Sequence, residues 1–599
     1  VRSYIWYGVP LRVGESRPVP VTRPIGSFMR ADATRAYVTQ MSEVGNRIEK
    51  VTIEQTIALE DQFLMDRYNL ALARAKNGGP YRGWSYEEAV AKVRPRAAAG
   101  HNVKLSVADL KTPAGRKIVE DTIQSIAGER DEHPFMLTAK SEVFFQDKKT
   151  RKPPRLLCYP SLEFRVAEKM ILGDPGLVAK AVLGDAYGFQ YTPQQRVRKL
   201  LSLWDEKQIP IAITVDAKCF DSTITAFDVD REAEIYAIAH EKPDLVRALH
   251  RHYKAGPMVN REGVEVGYRN CRPSGIYTTS ASNSITCWIK VGAACRKIGL
   301  RNPSFLIHGD DCVIIAERGD EDPTPALRAA LLEYGYDSDP ALHASLDEAE
   351  SASTFLAECT AGYDRRKIYF LSTDFRKVLA RATSEYGDPV ASACGYTLLY
   401  PWHPLTRWVL MAQVIGLPFL RGASVDEAIT CEVAGNRLTF PLKQLPSILV
   451  ALHGPECLRV VSDSNKTLRE TNNALQALRM RGLSWYRKRT IALRLKMIRA
   501  GGQWAKLAKA LIWPPSAYIP SLEVDTFDAT QLLDIMSRPY NNLELQIGKP
   551  IRRSLTGLFV SRICSFFGSD IPATLAERYA LGLVLVGWAL AGYWLLFWV

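Results

Sequence analysis

The strongest constraint on this chain is a pair of apolar segments that each run straight into acid. Ile211-Ala-Ile-Thr-Val215 leads into Asp216-Ala-Lys-Cys-Phe-Asp221, and Phe305-Leu-Ile307 is separated from Cys312-Val-Ile-Ile315 by His308-Gly309-Asp310-Asp311. Short apolar runs rich in β-branched residues and bounded by turn residues predict buried strands. Unpaired charges cannot follow such strands into a core. The strand ends must therefore open on a cleft, and the second pair must be a hairpin with acids at its turn. Adjacent carboxylates repel unless a cation sits between them. A third patch, Ser274-Gly275-Ile-Tyr-Thr-Thr279-Ser-Ala-Ser-Asn283, reads as a Gly-led polar turn running into a helix.

Carboxylates from two separate strands suit two Mg²⁺ ions, which demand oxygen ligands and keep waters or phosphate oxygens in their remaining positions. Two such ions about 3.5–4 Å apart clamp the attacking and leaving oxygens of an in-line phosphoryl transfer. A Gly-Asp-Asp triplet alone is a weak motif, and Asp-rich turns are common. All three patches in this order, each in fitting secondary structure, are much harder to obtain by accident. Beside them, His308 reads as a packing or hydrogen-bonding residue, because hard Mg²⁺ prefers oxygen. Cys219 and Cys312 read as fillers of small apolar space.

With 599 residues the chain exceeds a single core and predicts about four domain-sized units. Its net charge of +13 is strongly localised. From Lys466 to Lys509 stand twelve basic residues, among them Arg487, Lys488 and Arg489, and one acid, Glu470, so this segment carries +11. A confined basic surface attracts a polyanion, either nucleic acid or an acidic membrane. Trp485 and Trp504 within it read as core residues by helical spacing. Eleven cysteines without a CxxC pair or zinc spacing predict reduced thiols and a cytosolic body. The chain opens at Val1 without a signal-type apolar run or a Met, which predicts release from a longer precursor or removal of a tag. Residues 580–599 carry no charge over twenty positions. That is ~30 Å of helix, enough to cross a bilayer, and predicts a tail anchor.

Along the chain, residues to about 180 mix helical and extended patterns, with Glu142-Val-Phe-Phe and Arg155-Leu-Leu-Cys-Tyr as strands flanking a basic turn. Residues of about 185–360 alternate buried-type strands with helices, and those of about 361–512 are mostly helical. From Trp513-Pro-Pro515 to about 578 the pattern weakens to a linker.

The acid-bearing trio resembles motifs A, B and C of viral RNA-dependent RNA polymerases, and its Gly-Asp-Asp form points to positive-strand RNA viruses. Ser3-Tyr-Ile-Trp, Lys140-Ser-Glu-Val-Phe, Arg151-Lys-Pro-Pro-Arg155, Tyr187-Gly-Phe-Gln-Tyr191 and Cys271-Arg-Pro-Ser-Gly275 extend the likeness along nearly the whole chain. They resemble the hepacivirus/pegivirus branch of the Flaviviridae, the group of the hepatitis C virus polymerase, with a lean towards the pegiviruses. The resemblance implies an α+β right hand of fingers, palm and thumb with closed fingertips, its palm a mainly antiparallel sheet flanked by helices. On that plan 1–184 and 224–278 are fingers, 185–223 and 279–357 palm, 358–512 thumb with a hairpin at 431–441, 513–578 linker and 579–599 a transmembrane tail.

Residue by residue, the resemblance implies that Asp216 and Asp310 hold two Mg²⁺ ions, replaceable by Mn²⁺, with Asp311 and the Ala217 carbonyl in support. Asp221, Ser274 and Asn283, supported by Thr279, would surround the incoming ribose and select its 2′-OH. Lys140, Arg151 and Arg155 would neutralise the triphosphate, Arg47 and Lys50 match a fingertip basic pair, and Arg381 matches an arginine that meets the initiating nucleotide. Arg487, Lys488 and Arg489 would bind RNA. Implied partners are template and nascent RNA, NTPs, a membrane and other viral replication proteins, on the cytoplasmic face of a host membrane such as the endoplasmic reticulum.

Several positions depart from the family. Thr373 replaces a second arginine, and no lysine lies between Arg318 and His343 to donate a proton to pyrophosphate. In the hairpin Cys431-Glu-Val-Ala-Gly-Asn-Arg-Leu-Thr-Phe440, Ala434 and Leu438 stand at the tip where the hepatitis C virus relative has tyrosines. Two other readings stay open. A reverse transcriptase shares the acid chemistry but expects a bulky steric gate where Asp221 stands. A tail-anchored RNA-binding scaffold explains the basic segment and tail but not the three acid patches.

Overall fold

In the computed structural model, residues 3–9 and 60–512 are described apart from short breaks, together with 28–30, 520–522 and 547–550. Strand β6 (Pro210–Ala217) buries Ile211, Ala212, Ile213 and Val215 and leaves Asp216 exposed. It lies between β10 (Asp311–Glu317) and β11 (Ser338–His343), and β9 (Ser304–His308) completes an antiparallel sheet of order β11-β6-β10-β9. Side chains alternate across a strand, and here each face meets a different core. Ala212, Leu306, Val313 and Ile315 join one, with Phe370, Trp402 and Leu410. Ile211, Ile213, Ile307 and Ile314 join the other, with Phe135, Tyr236 and Ile285. A wall buried on both sides needs apolar residues at every position. That is why these strands read as unbroken apolar runs.

The second core is covered by a five-stranded sheet of order β1-β8-β7-β3-β5: β1 (Tyr4–Trp6), β8 (Glu265–Arg269), β7 (Gly256–Val259), β3 (Phe135–Ala139) and β5 (Leu156–Tyr159). Only the β3–β7 pair is parallel. The opening Ser3-Tyr-Ile-Trp is thus an edge strand, and the Ser3 hydroxyl donates to the Ser222 carbonyl at 2.6 Å, beside Asp221. A small pair, β2 (Phe28–Arg30) and β4 (Val143–Phe145), stands apart.

Through this core runs the helix Thr279–Lys297, buried at every position from Ala281 to Cys295. Its polar side chains are matched. Lys290 Nζ pairs with Asp228 at 3.1 Å, and the Thr286 hydroxyl donates to Glu232 at 2.6 Å. Glu232 also takes the guanidinium of Arg272, so two acids on the helix Ala226–Ala237 brace the turn and helix that come after them in the chain. Removing one partner of such a pair strands a buried charge, at a cost of about 3–5 kcal/mol.

The first core is helical beyond residue 372, with two hairpins, β12 (Phe355–Ala361) with β13 (Arg366–Ser372) and β14 (Ala428–Val433) with β15 (Asn436–Pro441). The first of these spans residue 357, the expected palm–thumb boundary. The second matches the expected hairpin, but Leu438 is buried opposite Cys431 in the core, not at a tip. Ala434 lies outside the described residues.

Three expectations for the basic segment and for the residues beyond it need correction. On the helix Leu483–Ala500, Leu483, Thr490, Arg494 and Met497 point inward, so Arg494 is core rather than a basic surface. Arg487 lays its guanidinium 4.9 Å from the Trp408 ring, whereas Lys488 and Arg489 are exposed. Trp504 packs on the core as expected. Trp485, off the inward stripe, is 39% exposed with Arg489 4.9 Å above its ring. Within the expected linker, β16 (Pro520–Leu522) and β17 (Ile547–Pro550) pair antiparallel. No described helix is long and apolar enough to cross a membrane. The expected span 579–599 lies outside the described residues.

Candidate active site

The C-terminal end of β6 and the β9–β10 turn meet a cavity of ≈ 780 Å³ whose lining includes Asp221 and Asp310 but neither Asp216 nor Asp311. Beyond Asp216 the chain must reverse sharply, and Cys219 takes up a left-handed conformation (φ 50) to do so. The short helix Phe220–Thr223 then carries Asp221 back into the cavity. Gly309 also has a positive φ, +65°, which a side chain would strain. Its N–H donates to Ser284 Oγ at 2.8 Å, fastening the acid turn to the buried helix.

From the same helix Asn283 Nδ2 donates to Asp221 Oδ1 at 2.8 Å. Its other amide atom, Oδ1, is buried and accepts no hydrogen bond from the described residues. Leaving a buried acceptor unpaired costs about 1–3 kcal/mol.

Asp310 is exposed to this cavity, and loss of solvation near the surrounding protein raises its carboxyl above the ordinary value. The negative charges of Asp221 and Asp216 raise it further, and Arg155 opposes them. Asp311 begins β10 opposite His308 and lies within electrostatic reach of Arg196. Asp216 immediately precedes Ala217, which lines the cavity.

Lys140 and Arg155 also line it, and the Lys140 N–H donates to the Arg155 carbonyl at 2.7 Å. Ser274 lines the cavity with its hydroxyl bound to β5, accepting from the Cys158 N–H at 3.2 Å and facing the Leu156 carbonyl at 3.5 Å. Thr279 turns its hydroxyl back onto the carbonyls of Pro273 and Ile276. It steadies the loop.

Arg381 is not among the lining residues. It is exposed on the helix Phe375–Ala382 and donates to the Tyr396 hydroxyl at 3.2 Å. Arg47, Lys50 and Arg151 lie outside the described residues. His308 is buried and pushed down to about 3 by desolvation and by Arg196, a neutral packed ring as expected. Cys312 is buried in the core, and Cys219 lines the cavity.

Phe189, Asp337 and Glu168 are among the residues that had no role at the level of sequence. Phe189 and Asp337 line the cavity. Glu168, fully buried, has its carboxyl raised to about 7 by desolvation; it accepts from the Tyr253 hydroxyl at 2.7 Å and lies 3.5 Å from the Tyr277 N–H in the loop that carries Ser274. An acid between Phe164 and Ile171 on an otherwise apolar helix face was the signal that could have found it.

Among the described residues no three His, Cys, Asp or Glu side chains are grouped so as to hold a metal ion. The donor set is nevertheless all oxygen, and the repulsion raising Asp310 is what a cation between these carboxylates would relieve. An open set of this kind fits ions whose coordination is completed by water or by a phosphate-bearing substrate.

Comparison with known proteins gives a consistent picture. A family described as viral RNA dependent RNA polymerase matches residues 3–500. The genome polyprotein of Hepatitis GB virus B is 35% identical over 547 residues, covering 87% of this chain and 19% of the polyprotein. That of Hepatitis C virus genotype 3a (isolate NZL1) is 34% identical over 533 residues, covering 84% and 17%. The chain spans about a fifth of the length of the curated relatives it matches.

Proposed function

Since the chain belongs to the viral RNA-dependent RNA polymerase family, we propose that its cavity adds ribonucleotides to an RNA 3′ end while copying a positive-strand RNA genome, starting without a primer. The observation that carries this reading is the Asn283–Asp221 pair with its unpartnered Oδ1, held beside Asp310. A ribose 2′-OH is the donor this acceptor lacks, and a deoxyribose would leave it unpaired. No bulky gate occupies the Asp221 position, which disfavours the reverse-transcriptase reading. The acid-lined cavity disfavours a bare RNA-binding scaffold.

Asp216 and Asp310 would hold divalent ions, Mg²⁺ or Mn²⁺, with Asp311 and the Ala217 carbonyl beside them, and such ions neutralise charge developing on transferred phosphate. The other residues work on the substrate. Lys140 and Arg155 hold the triphosphate against the acids, and Arg151 is assigned to the same group. Asp221 and Asn283 orient the ribose, and Ser274, tied to β5, fixes the loop between them. Lys488 and Arg489 track the RNA backbone, Arg47 and Lys50 serve at the fingertips, and Arg381 meets the initiating nucleotide.

On this reading the five-stranded sheet and its helices are fingers, the antiparallel wall is palm and the helical region beyond it is thumb. The uncharged residues 580–599 support a span that tethers the enzyme to the cytoplasmic face of an intracellular membrane, among other viral replication proteins.

The test is primer-independent incorporation of labelled rNTP on a homopolymer RNA template with divalent ions supplied, comparing the chain with Asp310→Asn. Loss of activity by more than a hundredfold, with the fold and RNA affinity intact, is the expected result, because a lost ligand removes transition-state charge stabilisation. Activity within tenfold of the unaltered chain would overturn the assignment.

A further inference from the structure

An unprimed start must hold its first nucleotide with no duplex beneath it, so something else must limit the entropy of aligning the reacting atoms. Aromatic faces do this for any base. The hairpin β14–β15 does not supply one from its described residues, because Leu438 and Phe440 are both buried. Around the cavity Tyr4, Phe220 and His308 are buried too. Phe189 is different: it lines the cavity with Asp310 and is 47% exposed.

Its mounting is rigid. Tyr187 meets the Phe189 ring edge-on at 5.8 Å and His308 meets it edge-on at 5.2 Å. Gly188 between them lies so close to His308 that a Cβ would fall 2.2 Å from the imidazole. Tyr187 bridges in parallel to Ile307, which adds this segment to the outer edge of β9. His308 is the residue before Gly309-Asp310. The ring and the acid are therefore carried on one strand end.

The strand order gives the direction. Asp221 lies just beyond the end of β6, two strands in from that edge, and Phe189 lies beyond β9. With the incoming ribose held at Asp221 and Asn283, the other reacting nucleotide belongs on the opposite side of Asp310, where Phe189 stands. Resting on the polymerase reading above, we propose that Phe189 is the stacking platform for the base of the nucleotide that supplies the attacking 3′ oxygen, and chiefly for the initiating nucleotide. In primed synthesis that base is already stacked in a duplex, so the platform matters less.

The full 599-residue chain is given a short template whose first two copied bases call for GTP and then ATP. One arm varies GTP and reads unprimed dinucleotide formation; the other reads single ATP addition to a long annealed primer. Phe189→Ala should raise the KM for initiating GTP roughly tenfold with kcat and primed addition little changed, a loss in the range of one base–aromatic stack. Phe189→Tyr should stay near the unaltered chain. Phe189→Leu keeps apolar contact with Tyr187 and His308, so it guards against loss of fold, and it should behave as Phe189→Ala. An unchanged KM for GTP in Phe189→Ala, a Tyr variant as impaired as the Ala variant, or primed addition falling in step with initiation would overturn the proposal. Failure of the unaltered chain to incorporate any nucleotide in either arm would overturn the polymerase reading itself.

Discussion

Replacing Asn283 by Ala should cut the preference for rNTP over dNTP by lowering use of rNTP alone. Asn283 Oδ1 is buried and accepts nothing from the described residues, while Nδ2 is committed to Asp221 at 2.8 Å. If the 2′-OH donates to Oδ1, a deoxyribose forfeits that bond and leaves a buried acceptor unpaired, about 1–3 kcal/mol. That corresponds to roughly 5–150-fold in kcat/KM. In Asn283→Ala the acceptor is gone, so rNTP efficiency should fall by this factor, while dNTP efficiency holds or rises slightly because its penalty has vanished. Single-nucleotide addition to an annealed primer, with matched rNTP and dNTP titrations, separates the two. A ratio unchanged from the unaltered chain refutes the reasoning. So does an equal fall for both substrates, which would mean that Asn283 only holds Asp221 in place.

Burial and charge set further outcomes. Neutralising Lys488 and Arg489 should flatten the slope of log K against log salt for single-stranded RNA by ~0.7 per lost phosphate contact; Arg487→Ala, which uncovers the Trp408 ring, should lower the melting temperature with little change in slope, and the reverse pattern would exchange their roles. Burial holds the Glu168 carboxyl at about 7 against an ordinary 4.5, so folding takes up a proton between those values and stability falls as pH rises through that window. Glu168→Gln cannot ionise, and relative to the unaltered chain it should gain on the order of 3 kcal/mol at pH 8 over its standing at pH 4; equal effects at both pH values would show that Glu168 folds without such a shift. Removing residues 579–599 should release the protein from membranes in a flotation gradient with primed synthesis retained, and continued flotation would transfer the anchor to another surface such as the basic helix.

The central sheet could be read from sequence because its demands are local. Burial on both faces forces apolar residues at each of Ile211, Ala212, Ile213 and Val215, and the first charge, Asp216, marks where the wall ends. Gly309 announces the turn for the same reason, since its φ of +65° suits few other residues. The edge strand β1 was not legible as a strand, only as a motif match: three residues carry no periodicity to speak of, and its partner β8 begins more than 250 residues later. The basic run misled because charge was counted along the chain while burial is decided by helix face. Arg494 shares the inward stripe of Leu483, Thr490 and Met497, which only the folded helix reveals.

Within the site, the acids and Asn283 were recoverable as motif residues, but the hydrogen bonds that tie them together were not, and the difference is sequence distance. Asp221 and Asn283 lie 62 positions apart, and Glu168 and its Tyr253 partner 85 apart. No pattern within one helix or strand couples such residues. The hydroxyl of Ser274 shows why a motif match alone stops short of a role. By resemblance it belongs to the ribose, but the fold engages it with the β5 backbone at Cys158 and Leu156, 116 and 118 positions away. On the proposed reading ribose selection rests on the Asp221–Asn283 pair, with Ser274 holding the loop beside it. Phe189 sat inside a recognised motif without a role for the same reason. Its meaning comes from His308, which reaches it across more than 100 residues and fixes it at the end of the strand that carries Asp310.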